Sequence, residues 1–182
     1  MRYGIRRRLT RAQSLLLFLT FRCTLKCSYC ALKYIDGKYP VCDETTISHW
    51  KRIVKSFPRK IKEIKITGGE PMLMPYFSEL VNWLLDEGYL VLVITNLTIK
   101  RVIKKSDRLL IASTNHKVGK FQLDFYNKEH RVKVDEIATQ KLDCSNVKDL
   151  CYREYGDTCT GFIYSPEGRL FTHVNEMYQE YV

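Results

Sequence analysis

Three cysteines near the start of the chain have the spacing of metal ligands. Cys23, Cys27 and Cys30 are separated by three and by two residues. A structural zinc site needs four protein ligands, usually in two close cysteine pairs, and the sequence contains no second close pair. A [4Fe-4S] cluster held by three cysteines instead leaves one iron without a protein ligand. The pattern therefore predicts an iron-sulfur cluster with one coordination position open to a small molecule.

A second motif, Gly-Gly-Glu-Pro at residues 68–71, follows further along the chain. Together with Tyr29, an aromatic residue directly before the third cysteine, the two motifs in this order resemble those of the radical S-adenosylmethionine (radical SAM) superfamily. The alternative is a coincidental cysteine group followed by an unrelated glycine turn. The strand, loop and helix context of both motifs distinguishes the two interpretations.

The resemblance implies two cofactors, a [4Fe-4S] cluster bound by Cys23, Cys27 and Cys30, and S-adenosylmethionine (SAM) bound to the open iron. It implies that reductive cleavage of SAM gives methionine and a 5'-deoxyadenosyl radical, which abstracts hydrogen from an unidentified substrate. It also implies an electron donor of the flavodoxin or ferredoxin type. Within the family, Tyr29 and the cysteine-containing C-terminal part favour the branch of molybdenum-cofactor and peptide-modifying enzymes.

The same resemblance assigns residues to the SAM site. Gly68 and Gly69 would let the backbone approach the ligand closely, because glycine has no side chain to obstruct it. Glu70 matches a family position beside the methionyl amino group, where an anion suits a cation. Tyr29 is expected near the adenine.

Polar residues at the ends of later strands complete the predicted site. Asn96 is a candidate for polar ligand atoms, and Ser113 or Thr114 is a candidate for the ribose. These assignments compete with a structural interpretation, because such residues are also common in turns. The later glycine-rich adenine-binding motif of the family is not identifiable in the sequence.

Hydrophobic patterning predicts the strands that position these motifs. Residues 14–21 form a continuous apolar run, typical of a strand covered on both faces in a parallel sheet. Further strands are predicted at residues 63–67, 89–95 and 108–113. Because sites assemble at the carboxyl ends of such strands, we expect the cysteines, the Gly-Gly-Glu-Pro motif and Asn96 at one edge of the sheet.

Amphipathic helices are predicted at residues 47–57 and 77–85, and a short basic helix at residues 99–105. Residues 121–126 and 132–137 flank a polar turn and indicate a hairpin instead of another strand-helix unit. The sequence therefore predicts an α/β fold, a truncated partial (β/α) barrel of the radical SAM type with a C-terminal β-hairpin extension. We expect the hairpins, a partner subunit or a large substrate to close its open side.

Three regions are predicted along the chain: a basic N-terminal arm at residues 1–13, the core at 14–139 and a cysteine-containing extension at 140–182. In the extension, Ser-Pro-Glu-Gly at residues 165–168 predicts a turn between two short strands, because proline and glycine take their preferred turn positions.

The extension resembles, imperfectly, the hairpin of the auxiliary-cluster modules that follow many radical SAM cores. A second metal site is one hypothesis, and its ligands would be Cys144, Cys151, Cys159 and His173. A two-residue turn would instead pair Thr160 with His173, which places Cys159 on the opposite face. The alternative is a remnant hairpin with free thiols. Metal analysis of a Cys23/Cys27/Cys30 triple-alanine variant distinguishes the two, because only a second site retains metal.

Composition limits the class of protein. A chain of 182 residues with 45% hydrophobic content is large enough for one sizeable core, unlike the small disulfide scaffolds that also contain many cysteines. The arginines at residues 6–8 precede an apolar run that is too short for a signal peptide or a membrane span, so we expect no membrane association and a reducing cytoplasm. The net charge of +10 favours an anionic partner, such as a peptide, a nucleotide or RNA, or is simply a solvated surface.

Two further functions are compatible with the sequence. A glycyl-radical-activating enzyme of the same family can be equally small and would generate a radical on a protein partner. A metal-stabilised, basic nucleic-acid-binding protein is the alternative from a different class, and it would show salt-sensitive binding. The Gly-Gly-Glu-Pro motif has no purpose in that last interpretation.

Overall fold

The computed structural model describes residues 14–27, 30, 45–57, 61–114, 131–135 and 162–171. Several predictions lie outside these residues. They concern the basic arm, Tyr29, the segment 121–126 and the four candidate ligands of a second metal site, Cys144, Cys151, Cys159 and His173.

The described part of the chain forms one sheet covered by two helices. The strands are β1 (Ser14–Phe18), β2 (Glu63–Thr67), β3 (Leu90–Thr95), β4 (Leu109–Thr114), β5 (Arg131–Asp135), β6 (Phe162–Tyr164) and β7 (Leu170–Phe171). The helices are α1 (Ile47–Ser56) and α2 (Phe77–Asp86), and a 3-10 helix spans Pro71–Leu73.

The strand order across the sheet is β5-β4-β3-β2-β1-β6-β7. Every neighbouring pair is parallel except β6 and β7, which form an antiparallel hairpin. The predicted α/β architecture is confirmed, and the described strands form an open sheet with β5 and β7 at its edges. None of the described helices is long and apolar enough to cross a membrane.

The core lies between the sheet and the helices. Residues of α1 and α2 cover one face of β1 to β4, and Trp50 of α1 is fully buried there. The prediction that β1 is covered on both faces is confirmed, because Leu15 and Leu17 join this core while Leu16 and Phe18 of the opposite face are also buried. The partners of these residues in the core are Ile53, Val54, Ile64, Ile66, Phe77, Leu80, Val81, Leu84, Val91, Val93, Leu109 and Ile111.

Two sequence predictions about the later part of the core differ from the structure or lie partly outside it. The hairpin between residues 121–126 and 132–137 stays a prediction, because its first arm lies outside the described residues. β5 pairs in parallel with β4, so the second segment supplies a further parallel strand that the sequence did not predict. Its alternation of charged residues and valines is compatible with either role, and periodicity alone does not distinguish them.

The predicted helix at residues 99–105 is absent, because this segment has no regular secondary structure. The Lys104 backbone N–H donates to Asn82 Oδ1 at 2.9 Å, and Ile103 is buried in the core. The segment contains three β-branched residues, which disfavour a helix when tertiary contacts compete.

The C-terminal hairpin is confirmed and belongs to the core sheet, because β6 pairs in parallel with the free edge of β1. Its register differs from that of the two-residue turn considered above. The Ser165 N–H donates to the Arg169 carbonyl at 3.0 Å, which leaves a three-residue loop ending in Gly168 at φ +79°. A type I turn followed by a left-handed glycine gives this loop length. The division of the chain into core and extension stays a prediction.

Substitution of Gly168 tests how the β6–β7 hairpin contacts α1. An added Cβ at Gly168 would lie 2.5 Å from Nε2 of His49, whereas at Gly88, which has φ +90°, it would meet nothing within 4 Å. We expect Gly88→Ala to cost about 1–2 kcal/mol of unfolding free energy from backbone strain alone, and Gly168→Ala to cost more. Urea denaturation measures both. Equal costs, or no relief of the Gly168→Ala cost in a His49→Ala background, would contradict the contact.

Candidate functional site at the carboxyl edge of the sheet

The ends of four parallel strands meet at one edge of the sheet, as predicted. Phe18 is opposite Thr67 in the β1–β2 pair, and Thr95 is opposite Ser113 in the β3–β4 pair. The residues that follow these strands therefore start at the same edge. This arrangement brings the loop of residues 23–30, here called the cysteine loop, next to the Gly-Gly-Glu-Pro loop (residues 68–71).

Backbone hydrogen bonds join the two loops beyond the ends of their strands. The N–H of Leu19 donates to the Thr67 carbonyl at 3.0 Å, and the N–H of Gly69 donates to the Thr20 carbonyl at 2.7 Å. The N–H of Glu70 then donates to the Arg22 carbonyl at 2.8 Å, directly before Cys23. The start of the cysteine loop is therefore held by the Gly-Gly-Glu-Pro loop.

The two glycines allow this close backbone approach. A Cβ at Gly68 would lie 2.3 Å from the Thr20 carbonyl oxygen, and one at Gly69 would lie 2.2 Å from the Arg22 carbonyl oxygen. Gly68 also has φ +149°, a conformation that other residues rarely adopt. From the sequence, these glycines were predicted to let the backbone approach SAM. In the structure, they let the backbone of the Gly-Gly-Glu-Pro loop approach the backbone of Thr20 and Arg22.

The three cysteine thiols lie at this edge, and none of the three forms a disulfide. Cys23 is exposed, whereas Cys27 and Cys30 are half-buried, and the N–H of Cys30 donates to the Cys27 carbonyl at 3.1 Å. Cys23 Sγ accepts from the Leu25 N–H at 3.5 Å and from Asn96 Nδ2 at 3.4 Å. Although Cys23 is exposed at the surface, the protein atoms around its thiol partly desolvate it, and this raises the pKa of Cys23. The nearby charges of Glu70 and Cys27 add to the rise, and the two hydrogen bonds oppose it.

Glu70 is fully buried and connects three elements. Its Oε1 accepts from the Met72 N–H at 2.9 Å and from the Thr95 hydroxyl at 2.8 Å, and its Oε2 accepts from the Asn96 N–H at 2.8 Å. Burial raises the pKa of the Glu70 carboxyl, and these three hydrogen bonds oppose the rise. The carboxylate therefore joins the loop after β2 to the end of β3.

Asn96 lies between the two loops. Its Nδ2 donates to Thr24 Oγ1 at 3.1 Å as well as to Cys23 Sγ, and its Oδ1 accepts from the N–H and the hydroxyl of Thr98. The structure thus brings Cys23, Glu70 and Asn96 together, although they are far apart in the sequence. The predicted contact between Asn96 and polar ligand atoms stays a prediction.

Ser113 lies one strand further along the edge. It pairs with Thr95 and its side chain is buried. Its predicted contact with the ribose stays a prediction, as does the contact between Tyr29 and the adenine.

Arg101 and Thr95 contribute to the site and were missed by the sequence analysis. The Arg101 guanidinium donates to the Met72 carbonyl at 2.8 Å and to the carbonyls of Leu73 and Met74, each at 3.4 Å. It therefore satisfies carbonyls at the end of the 3-10 helix, which lack partners within the helix. No local signal marks Arg101, because its contacts are made to a segment almost 30 residues away.

The donor set fits a [4Fe-4S] cluster. Three cysteine thiols lie on one short loop, and the loop is held in place by backbone bonds at its start. In the described part of the chain, no three His, Cys, Asp or Glu side chains converge as a single metal ion requires. Cluster cysteines each bind a different iron, so their sulfurs do not have to converge on one point.

Comparison with known proteins identifies a family. The sequence matches the Radical SAM superfamily over residues 17–119, which is more than half of the chain. A S-adenosylmethionine-dependent nucleotide dehydratase from Selenomonas ruminantium is 33% identical over 75 residues, which cover 40% of this chain and 27% of that protein. A candidate glycyl-radical enzyme activating enzyme from Methanocaldococcus jannaschii is 36% identical over 78 residues, which cover 43% of this chain and 29% of that protein. The matches span less than a third of these relatives.

A solved structure supports the fold. The crystal structure of BtrN in complex with AdoMet and 2-DOIA has a TM-score of 0.56 at 12% identity, covering 92% of this chain and 75% of BtrN. At this identity the similarity concerns the fold alone. Together with the family match, it confirms the predicted partial barrel.

Proposed function

This chain belongs to the radical SAM superfamily, and on that premise we propose that Cys23, Cys27 and Cys30 hold a [4Fe-4S] cluster whose fourth iron binds SAM. The observation that carries the proposal is the set of backbone bonds from Gly69 and Glu70 to the residues directly before Cys23. These bonds join the two motifs into one unit at the carboxyl edge of the sheet.

The cluster, when bound, supplies the electron that cleaves SAM to methionine and a 5'-deoxyadenosyl radical, which abstracts hydrogen from the substrate. The residues of this chain position the reactants and exclude water. Glu70 places a negative charge close to the cysteine loop, which suits the methionyl ammonium. Because Glu70 is fully buried and bonded to three donors, we propose that it acts through its charge and through the position of the loops.

The remaining contacts to SAM follow the family resemblance. In this proposal, the backbone at Gly68 and Gly69 approaches SAM closely, Tyr29 contacts the adenine, and Ser113 contacts the ribose. The electron donor in this proposal is a protein of the flavodoxin or ferredoxin type. The substrate is anionic, a peptide, a nucleotide or RNA, because the net charge of the chain is +10.

Activation of a glycyl-radical enzyme is a second candidate. It is supported by the 36% identity to a relative named as such an activating enzyme. SAM cleavage is common to both candidates, so the product distinguishes them. A protein-based glycyl radical detected by electron paramagnetic resonance (EPR), without change in any small molecule, would favour the activating enzyme.

Loss of one cluster cysteine tests the proposal directly. We expect the protein, purified anaerobically and reconstituted with iron and sulfide, to release 5'-deoxyadenosine when dithionite and SAM are added. Cys27→Ala should abolish this product, because it removes one of three thiolate ligands. Mass spectrometry of the nucleoside fraction measures the product.

Cys42→Ala is the matched control, because Cys42 lies outside the motif. It should retain both iron and product. Wild-type protein that binds zinc without iron and binds nucleic acid in a salt-sensitive manner would overturn the proposal in favour of a nucleic-acid-binding protein.

A further inference from the structure

The side-chain amide of Asn96 reaches from the end of β3 to the sulfur of Cys23, at 3.4 Å. We propose that Asn96 is a positioning residue whose N–H···S hydrogen bond raises the reduction potential of the cluster. This inference rests on the proposed function, because it requires Cys23 to be a cluster ligand.

The orientation of the amide is determined by its other contacts. The Thr98 backbone N–H, which can only donate, lies 2.9 Å from Asn96 Oδ1. The oxygen of the amide therefore faces Thr98, and the nitrogen faces Cys23 and Thr24. Exchanging the oxygen and nitrogen positions would bring two donors together at Thr98.

The hydrogen-bonding capacity of the amide is already used. Its two N–H groups serve Cys23 and Thr24, and its oxygen accepts two hydrogen bonds from Thr98. An asparagine side chain has two donors and an oxygen with two lone pairs. All four positions of the Asn96 amide are therefore occupied, and none is left to bind a ligand. The geometry thus favours a hydrogen bond from Asn96 to the cluster sulfur over the contact with polar ligand atoms that the sequence predicted.

The backbone around Asn96 holds the amide in place. The Asn96 N–H donates to Glu70 Oε2 at 2.8 Å. The next residue, Leu97, has φ +56° and a buried side chain, and its N–H donates to Thr95 Oγ1 at 3.0 Å. A left-handed conformation is unfavourable for leucine, so the surrounding contacts must impose it.

Hydrogen bonds to cluster sulfurs influence the reduction potential. A hydrogen bond strengthens as its acceptor becomes more negative, and a cluster gains negative charge when it is reduced. The Asn96 N–H group therefore stabilises the reduced cluster more than the oxidised one. Removal of the Asn96 amide should therefore lower the reduction potential of the cluster. Reduction of the cluster, which must precede SAM cleavage, then becomes less favourable.

The experiment measures the potential of the reconstituted cluster by EPR-monitored redox titration. We expect Asn96→Ala to shift the reduction equilibrium by on the order of tenfold toward the oxidised form, which is about 59 mV for one electron. Thr24→Val is the matched control. The Thr24→Val variant removes the second acceptor of the Asn96 amide and leaves the bond from Asn96 to the Cys23 sulfur. The reduction potential of the cluster in this variant should therefore equal that in the wild type.

A second variant keeps the test decisive if Asn96→Ala fails to fold. Asn96→Asp preserves the shape of the side chain and both bonds from Thr98. It removes the donor but also adds a negative charge that lowers the potential by itself, so this variant serves only the measurement of nitrogen coupling. Pulsed EPR of the reduced wild-type protein should show a weak coupling to the Asn96 amide nitrogen, identified by 15N-asparagine labelling. This coupling should be absent in Asn96→Asp. Its absence from the wild type, or a wild-type potential in Asn96→Ala, would overturn the inference.

Failure of the proposed function gives a different result. Wild-type protein that assembles no iron-sulfur cluster contradicts the proposed function itself. A wild-type cluster that cleaves SAM, combined with an unchanged potential in Asn96→Ala, contradicts only the role of Asn96.

Discussion

Replacing Gly69 with alanine is expected to lower the free energy of unfolding by about 4 kcal/mol, at the upper end for single substitutions, and to prevent cluster assembly. The new Cβ would lie 2.2 Å from the Arg22 carbonyl oxygen and 2.5 Å from that of Phe21. Both neighbours are backbone atoms, so no side-chain rotation relieves the overlap. The two loops must move apart, which breaks the bonds from Gly69 and Glu70 that hold the start of the cysteine loop.

Urea denaturation and the iron content after reconstitution measure the two effects. Gly88→Ala is the control, because an added Cβ there meets nothing within 4 Å and only the strain of φ +90° remains. It should cost about 1–2 kcal/mol and leave the iron content unchanged. A Gly69→Ala variant that is as stable as Gly88→Ala and still binds iron would show that the loops are not held in the way described.

Replacing Glu70 with alanine is expected to cost about 3 kcal/mol or more of unfolding free energy, because two buried donors and one half-buried donor lose their acceptor and each unsatisfied buried group costs about 1–3 kcal/mol. The donors are the N–H groups of Met72 and Asn96 and the hydroxyl of Thr95. Glu70→Gln should cost less, about 1–3 kcal/mol, because glutamine keeps one of the two acceptor oxygens. A cost remains because the amide nitrogen would face either the Asn96 N–H or the Met72 N–H, and both are donors.

Thermal and urea unfolding, compared with Glu79→Ala, check this order. Glu79 has an exposed side chain that contacts Lys51 at 3.6 Å. An exposed ion pair contributes at most about 1 kcal/mol, so this control should remain close to the wild type. Wild-type stability in Glu70→Ala would mean that the buried carboxylate does not connect the loops.

The residue types and their order in the sequence were sufficient to predict the family, the parallel α/β fold and the edge where the site lies. Hydrophobic runs such as residues 14–21 predicted buried strands, because a strand covered on both faces has no polar positions. Because β1 to β4 are parallel, the residues after each strand had to meet at one edge. The cysteines and the Gly-Gly-Glu-Pro motif were therefore placed correctly without coordinates.

Predictions from the sequence were wrong or incomplete where a local pattern is compatible with two structures. An alternating segment can be a hairpin arm or the edge strand β5, and a basic segment with β-branched residues can be a helix or the connection before β4. The loop of the β6–β7 hairpin has one residue more than a two-residue turn. Pairing with a distant strand or burial of a single side chain determines which structure forms, as for β5 and Ile103. The periodicity of the sequence does not predict either of these contacts.

The tertiary structure alone determined how the site is held together. The contacts of Glu70 with Thr95, of Asn96 with Cys23 and of Arg101 with Met72 join residues that are 25, 73 and 29 positions apart. Hydrogen bonds of this kind depend on distance and direction between side chains, which follow from the register of neighbouring strands and not from any local pattern. The sequence could therefore identify the groups proposed to perform the chemistry, whereas the residues that position these groups could be identified only from the tertiary structure.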